Sequence, residues 1–329
     1  MDWILKRCSF AAASVLFFAF GIAPGQAQTS SRPVTIVAPF SAGGDSDLAA
    51  RNVAMAVSPI LGRQVIVLNK VGASGAIGSQ FVREAKPDGD TLLLARVGSQ
   101  AVLPALKPST PYKWNDFTFL GLLELNPYVC AVRADSPYKS FADLIEGIRQ
   151  NPGKLNYSTA GVGTIHEMGP QMLFDALKLG KDAATQIPYK GGGEASGALV
   201  GGQVNFQCTN LATIQSFHKS GQARILVVTT PERYREIADV PTARELGYAF
   251  LERITGWSAL YGPPGMNREL VARWGEVLQQ VARDPQWISS TEKIGSVPRI
   301  LTPEQTAEFA REQFETYDRL AKSLGIELK

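Results

Sequence analysis

The sequence is poor in the residues that carry out most enzymatic chemistry. Its 329 residues include only two histidines, His166 and His218, and three cysteines. It has no Gly-x-Ser-x-Gly motif, which would present a serine nucleophile at a strand-to-helix turn. Histidine, cysteine and carboxylate side chains do not cluster at the spacing of metal ligands. We therefore expect no catalytic residues, no metal and no cofactor.

An excess of charge of one sign is also missing. Lysine and arginine total 33 against 30 aspartates and glutamates, a formal net charge of +3, and no basic run is interleaved with aromatics. This composition argues against nucleic-acid binding. The chain has no Gly-Lys-Ser/Thr phosphate loop, and the glycines of residues 161–166 lack the third glycine of the dinucleotide fingerprint. Nucleotide ligands are not expected.

Only one long hydrophobic run is present, and it lies at the start of the chain. A basic segment, residues 1–7, precedes an apolar run at 8–22 and small residues before position 28. This order predicts a cleaved secretory signal at residues 1–27 and a periplasmic protein, because the run is short for a stable membrane span. Export leaves Cys130 and Cys208, which either pair in the oxidising compartment or remain as two buried thiols.

Strand-like and helix-like segments alternate along the rest of the chain. Continuous apolar strands separated by helices predict an α/β fold with parallel sheets covered on both faces. The pattern restarts after a first crossover at 124–127 and returns through a turn-rich stretch between Thr230 and Trp257. Multiple crossovers produce a hinge and a cleft. We predict lobe 1 at residues 28–126 and 241–329, and lobe 2 at 127–240.

Two glycine-rich stretches, residues 39–47 and 158–166, each follow a predicted strand and precede a predicted helix. Such a turn points backbone N–H groups at the positive end of a helix dipole toward one spot, which favours an anion. Small residues there allow close backbone approach, and strand ends are where ligands bind in open α/β sheets. The predicted ligand contacts are Phe40, Ser41, Ala42, Gly43, Gly44, Asp47, Arg96, Ser99, Thr159, Ala160, Gly161, Gly163, Thr164, His166, Thr209 and Asn210.

Asp47 and His166 each have two competing interpretations. Asp47 lies in the first turn of the predicted helix, where stabilising the helix and shaping the loop are favoured over a ligand contact. His166 opens a helix whose dipole disfavours its protonated form, so it is either a neutral imidazole facing the ligand or a helix-terminus residue. His218 is interpreted as a polar residue near the end of a helix.

Arg96 is the residue that bears on ligand identity. It ends an apolar strand at 92–95, and it forms either a salt bridge or a guanidinium fork for a carboxylate. If the loop amides bind one carboxylate, Arg96 would bind a second, and the ligand would be a dicarboxylate. Both aliphatic acids and aromatic ones such as terephthalate are eligible, with Phe40 as a ring contact.

Several motifs in order along the mature chain resemble the Bug family, the periplasmic solute receptors of tripartite tricarboxylate transporters. The resemblance implies a Venus-flytrap fold, a carboxylate ligand, and a bed of loop N–H groups with ordered waters. Two places depart from the family pattern: residues 166–174 differ from its usual helix start, which leaves the register of His166 open, and Arg96 stands where relatives have small residues. The family-like segments are residues 39–44 with Asp47, 50–51, 69–78, 87–93, 188–193, 240–242, 256–257 and 262–265.

Together these features predict a periplasmic receptor that clamps a small carboxylate and hands it to a membrane permease. We expect a monomer that binds no nucleic acid. The alternatives are a receptor that acts on a signalling partner and a secreted hydrolase.

Overall fold

The computed structural model describes residues 32–328, and the predicted signal peptide at 1–27 lies outside them. Within the described part of the chain, no helix is long and apolar enough to cross a membrane. Strands and helices alternate as predicted. The strands are β1 Val34–Ala38, β2 Val65–Asn69, β3 Thr91–Arg96, β4 Thr118–Asn126, β5 Tyr128–Arg133, β6 Asn156–Thr159, β7 Thr185–Pro188, β8 Phe206–Asn210, β9 Ala223–Val228, β10 Gly256–Gly262 and β11 Val297–Pro298. The helices are α1 Asp45–Leu61, α2 Ala76–Arg83, α3 Leu103–Leu106, α4 Phe141–Gln150, α5 Ile165–Ala176, α6 Gly192–Val200, α7 Leu211–Lys219, α8 Arg268–Val281, α9 Pro285–Lys293 and α10 Pro303–Leu324.

The strands form two sheets, one of six strands in the order β11-β4-β10-β3-β1-β2 and one of five in the order β7-β6-β8-β5-β9. We call the six-stranded sheet with α1, α2, α8 and α10 lobe 1, and the five-stranded sheet with α5, α6 and α7 lobe 2. The fold is therefore α/β and two-lobed, as predicted.

Both sheets are mixed, whereas the apolar pattern predicted parallel sheets. Parallel pairing joins β1 to β2 and β3, and β6 to β7 and β8. The strands next to the crossovers run the other way: β10 is antiparallel to β3 and β4, and β5 is antiparallel to β8 and β9. A strand covered on both faces has a continuous apolar sequence whether it is parallel or antiparallel to its neighbours, so the apolar pattern does not indicate strand polarity.

The chain passes from lobe 1 to lobe 2 at Pro127. The predicted crossover at 124–127 is narrower in the structure, because residues up to Asn126 belong to β4 and only Pro127 separates β4 from β5. On the return, Thr242 bridges Val228 of β9, so the chain still pairs with lobe 2 there. The predicted residue bounds of the two lobes stay a prediction.

Cys130 and Cys208 lie directly opposite each other on β5 and β8 and form a disulfide. The sequence left the pairing open because it did not show that these two strands are neighbours. The bond ties together adjacent strands of lobe 2 that are 78 residues apart in the chain.

Candidate ligand-binding site

Two loops, one from each lobe, face each other across the cleft. Loop 1, residues 39–44, leaves β1 and enters α1 after the N-cap Gly44, and loop 2, residues 160–164, leaves β6 and enters α5 after the N-cap Thr164. Both loops follow the carboxyl ends of parallel strands, which is where ligands bind in α/β sheets. The two loops and the helix starts that follow them wall one small cavity.

The same type of hydrogen bond, from a glycine amide to a carboxylate, shapes both loops. The amide of Gly43 donates to Asp47 Oδ2 at 3.1 Å, and the amide of Gly163 donates to Glu167 Oε2 at 2.7 Å. In each case the acceptor is a carboxylate four residues further on, in the first turn of the helix. Arg51 also pairs with Asp47, at 2.9 Å. Two N–H groups of the predicted anion bed therefore serve the loops themselves, and Asp47 has the loop-shaping contact that the sequence favoured.

The inner cavity between the loops has a volume of about 20 Å³. That is enough for one water molecule and too little for an organic acid. Its wall includes six predicted residues, Phe40, Arg96, Ala160, Thr164, His166 and Asn210, together with Asp45, Val97, Gly98 and Ile165.

Arg96 ends β3 beneath loop 1, and its side chain is only 3% exposed. Its Nη2 lies 2.5 Å from Asp45 Oδ2, and its Nη1 donates to the hydroxyl of Ser258 and lies 3.9 Å from Glu124 Oε1. The side-chain amide of Asn210, from lobe 2, donates to the same oxygen of Asp45. Of the two interpretations of Arg96, the structure shows an ion pair, whereas its contact with a ligand stays a prediction. The sequence analysis missed Asp45.

Burial shifts the pKa values of the ionisable groups around the inner cavity. Burial raises the pKa of Asp45, but the Arg96 guanidinium and the hydrogen bond from Asn210 outweigh it and hold that pKa below its usual value. Burial raises the pKa of Glu124, which favours its neutral form. Burial lowers the pKa of His166 to about 4, so the imidazole is uncharged at neutral pH. The closest charged partner of the Arg96 guanidinium is the carboxylate of Asp45.

His166 is held at both ring nitrogens. Its Nδ1 accepts a hydrogen bond from the amide of Ala160 at 3.1 Å, which places the proton of the neutral ring on Nε2. Nε2 lies 3.4 Å from the hydroxyl of Thr209, which is in turn 2.9 Å from the hydroxyl of Thr213. His166 borders the inner cavity and, through Ala160, positions the start of loop 2, whereas its contact with a ligand stays a prediction.

The buried, neutral state of His166 predicts a pH dependence of stability. The unfolded chain takes up a proton near pH 6.5, whereas the folded chain resists doing so until about pH 4. The free energy of unfolding should therefore fall as the pH is lowered through this interval, by up to about 3 kcal/mol. Urea denaturation at several pH values should show that His166→Gln removes this part of the decline.

The other histidine provides a matched control. His218 lies in α7, as predicted, and His218→Gln makes the same substitution while leaving His166 in place. Equal pH profiles for the wild type and both variants would show that His166 is not the titrating group.

Other predicted residues form contacts between the lobes or support the loops. The amide of Ser41 donates to the carbonyl of Lys190 in lobe 2 at 3.4 Å, and Gly44 lies against Gly192 and Gly193. Ala42 and Gly43 are exposed at the edge of loop 1. Ser99 lies buried in a π-helical turn after β3, and Thr159 ends β6 with its hydroxyl accepting a hydrogen bond from Gln186.

Another contact between the lobes involves a strained turn that the site prediction omitted. The hydroxyl of Ser74 donates to the carbonyl of Val162 in loop 2. Ala73 and Ser74 have φ values of 46° and 54°, which non-glycine residues rarely adopt. Gly161 packs so closely that a Cβ there would lie 2.7 Å from Ser74 Oγ. This turn and residues 190–193 belong to family-like motifs. Their runs of small residues were the sequence feature that could have indicated a contact between the lobes.

A larger cavity of about 800 Å³, the outer chamber, opens beside loop 2. Its wall is made by parts of residues 72–76, 103–111, 160–162 and 188–194 together with Leu328, so both lobes contribute. Ala160 lines both cavities, and Gly161 lines the chamber. The volume is in the range of small-molecule sites.

Two lobes that meet through opposed backbone loops, with cavities between them, define a two-lobed solute-binding protein. Residues 49–326 match the tripartite tricarboxylate transporter family receptor, and the chain belongs to this family. The resemblance read from the motifs is thereby confirmed.

Known proteins resemble this chain over most of its length. A UPF0065 protein of Agrobacterium vitis, encoded in the TAR-I ttuE-ttuC' intergenic region, is 34% identical over 92% of this chain and 87% of its own length. The structure of the periplasmic binding protein BugD has a TM-score of 0.85 at 31% identity, covering 91% of this chain and 99% of its own. An R. palustris protein determined with adipate has a TM-score of 0.85 at 26% identity, with the same coverage.

Proposed function

We propose that this protein is a periplasmic receptor that closes its two lobes on a small organic carboxylate and delivers it to a membrane transporter. The observation that carries the proposal is the pair of opposed glycine-rich loops, which line one cavity together with a buried guanidinium. A receptor family and a neighbour determined with adipate support it. The basic and apolar N-terminal sequence supports export to the periplasm.

We further propose that the ligand is a dicarboxylate. Residues 160–162 line the outer chamber, and their backbone would contact one carboxylate, while Arg96 at the inner cavity would bind the other. Phe40 borders the inner cavity, so an aromatic acid such as terephthalate is eligible beside an aliphatic one such as adipate.

A thermal-shift screen tests the proposal. A ligand that binds only the folded state stabilises it by about 2.7 kcal/mol at a hundredfold excess over Kd. Adipate or terephthalate should raise the melting temperature, whereas the corresponding diamides, which lack the charge, should not. If no organic acid shifts the melting temperature while an ester or amide is hydrolysed, the receptor assignment is wrong and the protein is an enzyme.

A further inference from the structure

The carboxylate of Asp45 is bound as a ligand carboxylate would be. Its Oδ1 accepts a hydrogen bond from the amide of Ser46 at the start of α1, at 2.8 Å. Its Oδ2 accepts from the guanidinium of Arg96 at the end of β3 and from the amide of Asn210 at the end of β8. The donors therefore come from a helix N-terminus and two strand ends, and they include both lobes.

This arrangement uses Arg96, which the proposed function assigns to the ligand, and Asn210, which is one of the predicted ligand contacts. Arg96 and Asn210 both line the inner cavity and both are bonded to Asp45. The side chain of Asp45 is only 8% exposed, so the ion pair is screened little by water. The hydrogen bond from Asn210 also joins lobe 2 to lobe 1 through a carboxylate that belongs to the chain itself.

We propose that Asp45 is an internal competitor, which occupies the carboxylate position on Arg96 and Asn210 until a ligand carboxylate displaces it. The inference rests on the proposed function and adds the residue that selects the ligand class. The protein should discriminate against monocarboxylates in favour of dicarboxylates.

Charge balance makes the two carboxylates mutually exclusive. Arg96 is the cation of the inner cavity, and Asp45 already neutralises it. A second carboxylate in the same place would lack a partner, which is costly in a buried site. Glu124, 3.9 Å from Arg96, contributes a third carboxyl group rather than a compensating cation.

Displacement is feasible because Asp45 is the first residue of α1, where only its side chain has to turn away. Opening the cleft separates Asn210 from Asp45, since the two residues belong to different lobes. Replacing the Asp45 carboxylate on Arg96 by a ligand carboxylate yields little net binding free energy. Useful affinity must then come from a second carboxylate in the outer chamber, which a monoacid lacks.

Calorimetry of Asp45→Asn tests the proposal with two matched pairs of acids, adipate with hexanoate and terephthalate with benzoate. Removing the competitor should tighten binding of the preferred diacid about tenfold, because the protein no longer has to release Asp45 first. The corresponding monoacid should gain at least as much, since Arg96 becomes available to its single carboxylate. In the wild type the diacid should bind more tightly than the monoacid.

Two controls isolate the mechanism. In the Arg96→Met background, Asp45→Asn should give no gain, because the contested position is gone. Glu84→Gln removes a negative charge from the exposed surface of lobe 1 and should leave affinity unchanged. If Asp45→Asn does not fold, as judged by circular dichroism, Asp45→Ser replaces it, since it also removes the carboxylate.

The outcomes separate the two proposals. If the Asp45 variant binds the diacid with unchanged or lower affinity, the competitor role is wrong. A lower affinity would indicate that Asp45 contacts the ligand. A gain that persists in the Arg96→Met background also overturns it. Failure of every acid to bind either the wild type or the variant would instead contradict the proposed function itself.

Discussion

Replacing Gly193 by alanine should lower ligand affinity at least about a hundredfold, equivalent to ~2.7 kcal/mol, without harming the fold. A Cβ at this position would lie 2.9 Å from the carbonyl carbon of Gly43, 3.0 Å from the oxygen of Ala42 and 3.0 Å from the nitrogen of Gly44. All three atoms are backbone atoms of loop 1, so no side chain can rotate to make room. The variant therefore cannot adopt the closed arrangement of the lobes, while lobe 2 keeps its structure.

Gly197 is the matched control on the same helix. Both glycines lie in α6, and apart from the adjacent backbone of α6 itself nothing in the described part of the chain lies within 4 Å of a Cβ built at Gly197. Each substitution replaces a helical glycine by a better helix former, so neither should lower the melting temperature. Calorimetry with the diacid should find full affinity for Gly197→Ala. Wild-type affinity in Gly193→Ala would show that binding does not require the lobes to meet at this point.

Replacing Arg96 by methionine should lower the free energy of unfolding by about 3–5 kcal/mol, the usual cost of breaking a buried ion pair. The variant leaves Asp45 buried in the cleft without its cation. The double variant Arg96→Met/Asp45→Asn removes both charges and should regain most of the loss. Urea denaturation at neutral pH measures all of these values.

The double variant also shows whether the ion pair is the cause. A cost below about 1 kcal/mol for Arg96→Met would place the pair in the range of exposed salt bridges. Failure of the double variant to recover stability would mean that the methionine disturbs packing around β3 instead.

Local sequence patterns predicted the positions of both loops correctly. A short apolar strand, small residues and a helix start follow one another within about ten residues in each case, so no distant contact is needed to recognise them. A local pattern also marks the start of α4, where Ser140 and Asp143, three residues apart, form a capping box. These features depend on neighbours in the chain, and the sequence displays neighbours directly.

The centre of the site depends on residues that are distant in sequence. Asp45, Arg96 and Asn210 come from α1, β3 and β8, and only the folded chain brings them together. The loop motif drew attention to Asp47, whose carboxylate turns back to Gly43, while Asp45 two positions earlier faces the cleft. Strand polarity was missed for another reason: the burial pattern of a strand covered on both faces is the same whether the strand is parallel or antiparallel.

A crystal structure of the complex with the acid that gives the largest thermal shift tests the central claim most directly. We predict an acid clamped between the lobes, with one carboxylate about 3 Å from the Arg96 guanidinium and the other at the backbone of residues 160–162. The Asp45 side chain should have turned away from Arg96. An acid bound to one lobe only, or one outside both cavities, would contradict the account.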